Sequence, residues 1–536
     1  MKPFNKLVRN ALFLLAGVGS LASCDFLETA PYDFIAPETF YKNEADCNMA
    51  LAGTYYSLVT TELYGSFYAC EMSNVDDLSY YTRTNNTSTQ IWANDHNTSS
   101  KVVWDAWEKL YMGIKNANAL LENIDKATMD EPIRNRIKGE AKFLRAYYHF
   151  LLVQGWYEVP LRKQSLDDIN AASLAATPHT EALDWIIAEM DACIDLVDNS
   201  AYDLSPSHVK KNTVLGILAR VCLWRAGNPS NGGKPFFLKA ATYAKLVADS
   251  KKHKLNADEF SLWRCMASDK YDTKSNESIW EAEFIGTRDD GNFTGGRIGN
   301  VIGNAQRNGN MNGKGYTYSF YAGTLILWDL FNKNPADNRR DLAMAPYWLN
   351  NKDAVVKWTD KDIVSRRCGK FRREWETSDK KNKNWTPENY PLLRYADVLL
   401  MLAEAENEAN QAPTPAAYAA INEVRKRAGI DPLKGLSYAT FQQELRDERA
   451  RELCFESLRK YDLVRWGIYE KTMHQKLAAA ANDKRWKQTD KTDKTGGQYT
   501  GAKKVAENTQ AKHQFFPIPA KELAVNTKLE QNKYWK

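Results

Sequence analysis

The chain has 536 residues and a nearly balanced charge, 72 Lys plus Arg against 67 Asp plus Glu, formally +5. That length exceeds one ordinary core and implies one large domain or two fused ones, and the balance excludes a protein held to nucleic acid or an acidic membrane by net charge alone. The eight cysteines contain no CxxC, which excludes a zinc knuckle and a dense disulfide framework and leaves isolated buried thiols as the expectation.

At the N-terminus, Lys2, Lys6 and Arg9 precede the apolar, small-residue run ALFLLAGVGSLAS, the layout of a secretory leader over residues 1–23. The tetrapeptide Leu21-Ala22-Ser23-Cys24 resembles the bacterial lipobox, in which small residues precede the cut and the thiol after it carries lipid. Cys24 is therefore the expected lipidation site. Stable anchoring needs more than one acyl chain. Loss of the leader takes the formal charge from +5 to +2. No later apolar stretch is long enough to span a bilayer.

Helical spacing then recurs in pairs. Residues 102–124 place Val103, Trp107, Leu110, Ile114 and Ala117 on one face, and 133–156 follow after a short turn. Residues 181–197 and 209–227 form a second pair, with Gly227 as C-cap, and 235–250 come next. Residues 391–411 and 415–429 form a third, each opened by proline, with Gly429 closing the second. Hairpins in blocks of roughly 34–45 residues indicate tetratricopeptide-like stacking. Between them lie polar loops at 73–100, 286–319, 375–385 and 489–504, long enough to be functional or disordered.

Local catalytic motifs are missing from the sequence. Glu444, Glu448, Glu452 and Glu456 line one face of a helix expected over 441–465 and raise the question of a glycosidase pair. Arg446, Arg449, Arg451 and Arg459 crowd the same helix and favour ionised carboxylates, so a structural ion-pair network is the better reading. The seven histidines form no HExxH, and the Gly-rich loop holds no phosphate-binding motif. No metal or cofactor is expected.

Aromatic loops carry more information. A Trp or Tyr ring matches the flat C–H face of a sugar, with amide and carboxylate side chains reaching its hydroxyls. Trp92 stands beside Asn94, Asp95 and Asn97 in a polar loop, where ligand binding and packing are both open. Tyr316 and Tyr318 alternate in GKGYTYSFY and share a face if that segment is extended. The basic run SRRCGKFRRE at 365–374 reads first as a solvated face and second as an acidic-glycan contact.

Six segments in order resemble the SusD/RagB family of Bacteroidetes outer-membrane lipoproteins: CDFLETAP, GEAKFLRAYYHFLLVQGWYEVPL, NYPLLRYADVLLMLAEA, INEVRKRAGI, ERARELCFESLRKYDLVRWG and FFPIPAKELAVNTKLEQN. The resemblance implies a mostly α fold of tetratricopeptide-like hairpins with long irregular ligand-binding loops. It implies a lipid-anchored outer-membrane lid, at the cell surface, on a SusC-like TonB-dependent transporter. The ligand it implies is a glycan, with peptide as the alternative; a glycosidase and a pure protein scaffold are the competing readings. It also places Trp92 near the loop that supplies ligand aromatics in the family. The expected divisions are the leader at 1–23, an N-terminal region at 24–230 and a C-terminal region at 231–536.

Overall fold

The computed structural model describes residues 40–83, 91–165, 173–198, 205–288, 294–309, 312–378, 381–485 and 497–536. The expected leader at 1–23 and the expected lipidation site Cys24 lie outside them. Helices dominate. The principal ones are α1 (Glu44–Tyr56), α2 (Lys101–Asn123), α3 (Glu131–Trp156), α4 (His179–Asp191), α5 (Lys211–Ala226), α6 (Lys234–Asp249), α7 (Tyr395–Asn410), α8 (Pro415–Arg427), α9 (Tyr438–Leu453), α10 (Arg459–Arg465) and α11 (Gly497–Asn508), with further short helices such as Glu259–Ala267 and Leu325–Asn332 between them. Local chemistry starts and stops them as expected. Asn43 caps α1 through a bond from the Asp46 N–H, and Thr414 caps α8 with Pro415 in its first turn. Gly227 closes α5, its N–H donating to the Leu223 carbonyl.

The hairpins stack in succession: α2 on α3, α3 on α4, α4 on α5, α5 on α6, then α6 on α7 and α7 on both α8 and α9. Ala396, Ala403 and Ala405 of α7 are wholly buried, and their small side chains let neighbouring helices approach closely. Val103, Trp107, Leu110, Ile114 and Ala117 of α2 are all buried, as their spacing requires. A single hydrophobic cluster runs from Tyr41 to Leu529. The C-terminal segment seals it: the Phe516 N–H donates to Gly155 O at 2.7 Å, and Asn532 Nδ2 donates to the Trp156 and Phe516 carbonyls. Among the described residues no helix is long and apolar enough to cross a membrane. Cys47, Cys70, Cys193, Cys222, Cys368 and Cys454 are free and buried, and Cys265 is free and half-buried.

Among the described residues three two-stranded antiparallel sheets pin the loops: β1 (Ser79–Tyr81) with β3 (Tyr321–Gly323), β2 (Ser278–Ala282) with β6 (Tyr390–Arg394), and β4 (Tyr347–Leu349) with β5 (Val355–Lys357). Residues 391–394, expected to open a helix, instead belong to β6, where Trp280 faces Leu393 and Glu281 faces Pro391. The expected helix 441–465 is two helices. Left-handed Phe455 and Ser457 break it, and the break turns Glu456 toward Arg394. The loop expected at 489–504 is helical from 497 onward, as the first part of α11. The run 365–374 is not a solvated face: Arg366, Arg367, Lys370, Arg372 and Arg373 are all buried, each within reach of carbonyls, carboxylates or rings.

Candidate functional site

A row of aromatic rings crosses the surface where the 312–320 loop meets β1. Tyr316, Tyr318 and Phe320 alternate with Thr317 and Ser319. The alternation puts the three rings on the half-exposed side and the two hydroxyls inside, where Thr317 Oγ1 donates to Asn304 O at 2.6 Å and Ser319 Oγ to Gly303 O at 2.8 Å. The rings run in contact. Tyr316 meets Tyr318 edge-on at 5.3 Å, Tyr318 stacks on Phe320 at 5.3 Å, Phe320 meets Tyr81 at 5.5 Å, and Tyr81 stacks on Trp92 at 5.3 Å. The two separate sequence candidates, Tyr316/Tyr318 and Trp92, are thus the ends of one row.

Their roles differ. Trp92 lies in a short 3-10 turn, Ile91–Ala93, and is only 7% exposed. Its expected freedom from core partners is corrected by Tyr81, which covers one face. Asn94, left-handed and 2% exposed, is turned inward as well: Nδ2 donates to Tyr469 Oη at 3.0 Å and to Thr509 Oγ1 at 2.9 Å. It ties this loop to the end of α11 rather than presenting an amide to solvent. Asp95 and Asn97 are exposed, and Asn97 Oδ1 accepts the Ser99 N–H at 2.9 Å.

Sequence reading missed Tyr81, Phe320, Arg83, Arg307, Lys383 and Asn384. Phe320 was legible as the third member of the Y-T-Y-S-F alternation. The others come from distant loops. Tyr318 Oη donates to Asn384 Oδ1 at 3.2 Å, which brings an exposed amide to the edge of the row. Arg373 holds the two loops together. It is wholly buried and donates to Tyr316 O at 2.6 Å, to Asn382 O at 2.7 Å and to Glu376 at 2.7 Å. Asn300 Nδ2 adds a bond to Lys383 O at 2.7 Å.

The paired glutamates form a different kind of site. Arg339 reaches Glu448 at 2.7 Å and Glu452 at 2.9 Å; Arg394 reaches Glu277 at 2.7 Å, Glu456 at 2.8 Å and Glu452 at 3.1 Å. Burial alone would raise these carboxyls. Arg339, Arg451 and Arg425 outweigh it and hold Glu448 at about 2, and Arg427, Arg394 and Arg339 hold Glu452 well below its ordinary value. Both are locked as anions and have no proton to give as a general acid. Among the described residues no group of His, Cys, Asp and Glu could hold a metal ion.

Stacked hairpins carrying an aromatic-lined loop site define a class of helical binding proteins. Two family models match separate parts of the chain: the SusD family over residues 276–535, and one described as starch-binding associating with outer membrane over 25–223. The chain belongs to the SusD family. SusD-like protein P25 of Formosa agariphila is 26% identical over 517 residues, 86% of this chain and 90% of that one. A SusD homolog from Bacteroides thetaiotaomicron superposes with a TM-score of 0.81 at 26% identity, covering 92% of this chain and 98% of the other. A laminarin-binding SusD-like protein gives 0.68 at 21% identity, with 92% and 100% covered.

Proposed function

We propose that this protein captures glycans at the cell surface, anchored by lipid at Cys24, as the lid of a TonB-dependent outer-membrane importer. The observation that carries the glycan reading is the half-exposed row Tyr316, Tyr318, Phe320 with Asn384 at its edge. Flat rings flanked by amides suit the alternating apolar faces and hydroxyl rims of a sugar chain. The family description of starch binding at the outer membrane supports the reading, as does the fold shared with a laminarin-binding SusD-like protein. In this reading the protein binds and does not hydrolyse, because its clustered glutamates are held by arginines.

The test is calorimetric titration against a panel of oligosaccharides. Tyr318→Ala should weaken binding about tenfold or more while leaving the thermal midpoint near that of the parent, since the ring is half-exposed. Unchanged affinity would remove the row from the binding site.

A further inference from the structure

The cations around the aromatic row are organised unlike the arginines that surround Glu448, Glu452 and Asp462. Within the helical core, buried arginines are matched to carboxylates: Arg339 to Asp337, Arg394 to Glu277, Arg449 to Asp397 and Asp462. At the row the pattern reverses. The Arg83 guanidinium lies 4.8 Å above the Phe320 ring and 5.7 Å from Tyr318. Lys383 Nζ lies 5.4 Å over Tyr316, and Lys504 Nζ lies 6.0 Å from Trp92 at the far end. Arg307 sits beneath, half-buried, donating to Thr317 O at 2.7 Å. Among the described residues, no carboxylate stands within ion-pairing distance of Arg83, Arg307 or Lys383.

Two acids on segments next to the row bond to other groups, whereas Asp95 beside Trp92 is exposed. Asp353 Oδ2 accepts from Asn308 at 2.8 Å and from the Lys314 N–H at 3.1 Å, and Glu376 is bound to buried Arg373. Burial lowers Arg307 from its ordinary value and the charge of nearby Arg83 adds to the effect, while Tyr316 opposes it. Two guanidiniums held near one another without a counter-charge repel, and a bound anion relieves that repulsion. The arginine fork also suits bidentate pairing with a carboxylate or sulfate, and cation and ring together present one composite surface to a charged sugar.

From this arrangement we infer that the ligand of the aromatic row is an anionic glycan, its rings stacking on Tyr316, Tyr318 and Phe320 and its carboxylate or sulfate-ester groups received by Arg83, Arg307 and Lys383. The inference rests on the reading of the row as a glycan site and narrows its substrate class. Both anionic groups satisfy the same guanidinium geometry, so the experiment carries a separate arm for each.

Binding is measured with hyaluronan oligosaccharides, which carry carboxylates only, carrageenan oligosaccharides, which carry sulfate only, and neutral laminarin oligosaccharides. Each is titrated at low and at raised ionic strength. One or both anionic probes should bind more tightly than laminarin and should weaken as salt rises. Arg83→Gln and Arg307→Gln should each reduce that affinity about tenfold, the loss of one charge-assisted contact. Arg83 is exposed and makes no fold-bearing bond to a carboxylate, so its variant stays informative if Arg307→Gln fails to fold. Laminarin binding as tight as that of either anion, insensitive to salt and to Arg83→Gln but lost in Tyr318→Ala, would overturn the anionic assignment and keep the glycan site. Binding of none of the three, or binding indifferent to Tyr318→Ala, would overturn both.

Discussion

Replacing Trp92 by alanine removes an indole that is 7% exposed and stacked on Tyr81. The expected outcome is a loss of about 3–5 kcal/mol of stability, the range for a truncated core aromatic. Glycan affinity should fall less than in Tyr318→Ala, because Trp92 is buried at the far end of the row behind Tyr81. Denaturant melts beside titrations separate the two, and an unchanged midpoint with abolished binding would return Trp92 to direct contact. Lys460 is the opposite case. Its Nζ is wholly buried, lies 3.9 Å over the Phe516 ring and makes no hydrogen bond among the described residues. Burial lowers it to about 7. Lys460→Met keeps the stem and removes the isolated ammonium, so it should stabilise the protein by about 1–4 kcal/mol at neutral pH. A lower urea midpoint for this variant would count against the burial argument.

Between residues and fold stand the elements that hold the loops in place. Glu452 of α9 faces Arg339, Arg394 and Arg427 together. Glu452→Gln leaves three buried cations short of one charge and should cost about 3–5 kcal/mol without changing glycan affinity, since none of the three touches the aromatic row. Chemical denaturation with parallel titration checks both halves of that statement. The helices themselves were readable because their signals are local: Gly227 as cap, Pro415 at a first turn, the Val103-to-Ala117 stripe. The β6 strand was not, because Leu392 and Leu393 look alike in a helix or a strand until Trp280 and the rest of β2 arrive from more than a hundred residues away. The break after α9 escaped for a similar reason: Phe455 and Ser457 adopt left-handed backbone although neither is glycine, and the reward is the long-range Glu456–Arg394 pair. Half of the candidate site was visible as the Tyr316/Tyr318 alternation, whereas Arg83, Arg307 and Lys383 become neighbours only through the β1–β3 pairing and the Arg373 bonds.

At the scale of the molecule, two sets of buried titratable groups oppose each other. Burial lowers His149 and His513 to about 3, His179 to about 4 and His96 well below its ordinary value. Unfolded, each takes a proton below about pH 6.5, so these histidines make stability fall as the pH falls. Burial raises Asp76, Glu259 and Glu281 to about 7. The folded state therefore keeps protons that the unfolded state releases above about pH 4, and these groups make stability fall as the pH rises toward 7. From about pH 6.5 to 4.5 the two sets nearly offset. Below about 4 the carboxyl gain is exhausted, while the histidines and the ionised Glu448 continue to penalise the folded state. The thermal midpoint should thus change little from about pH 6.5 to 4.5 and drop steeply below; an even decline across the whole range would contradict this balance. The C-terminal seal has a consequence in time. Phe515 and Phe516 lie against Trp156, Tyr157 and Trp224, which are made hundreds of residues earlier. A chain synthesised from its N-terminus cannot close the groove between these helices until residues 515–532 emerge. During elongation that groove stays apolar and uncovered until Phe515 and Phe516 are made. A chain ending at Gln514 should consequently lose its sharp melting transition and bind a hydrophobic dye, whereas a truncation that melted like the full protein would show that the early helices close unaided.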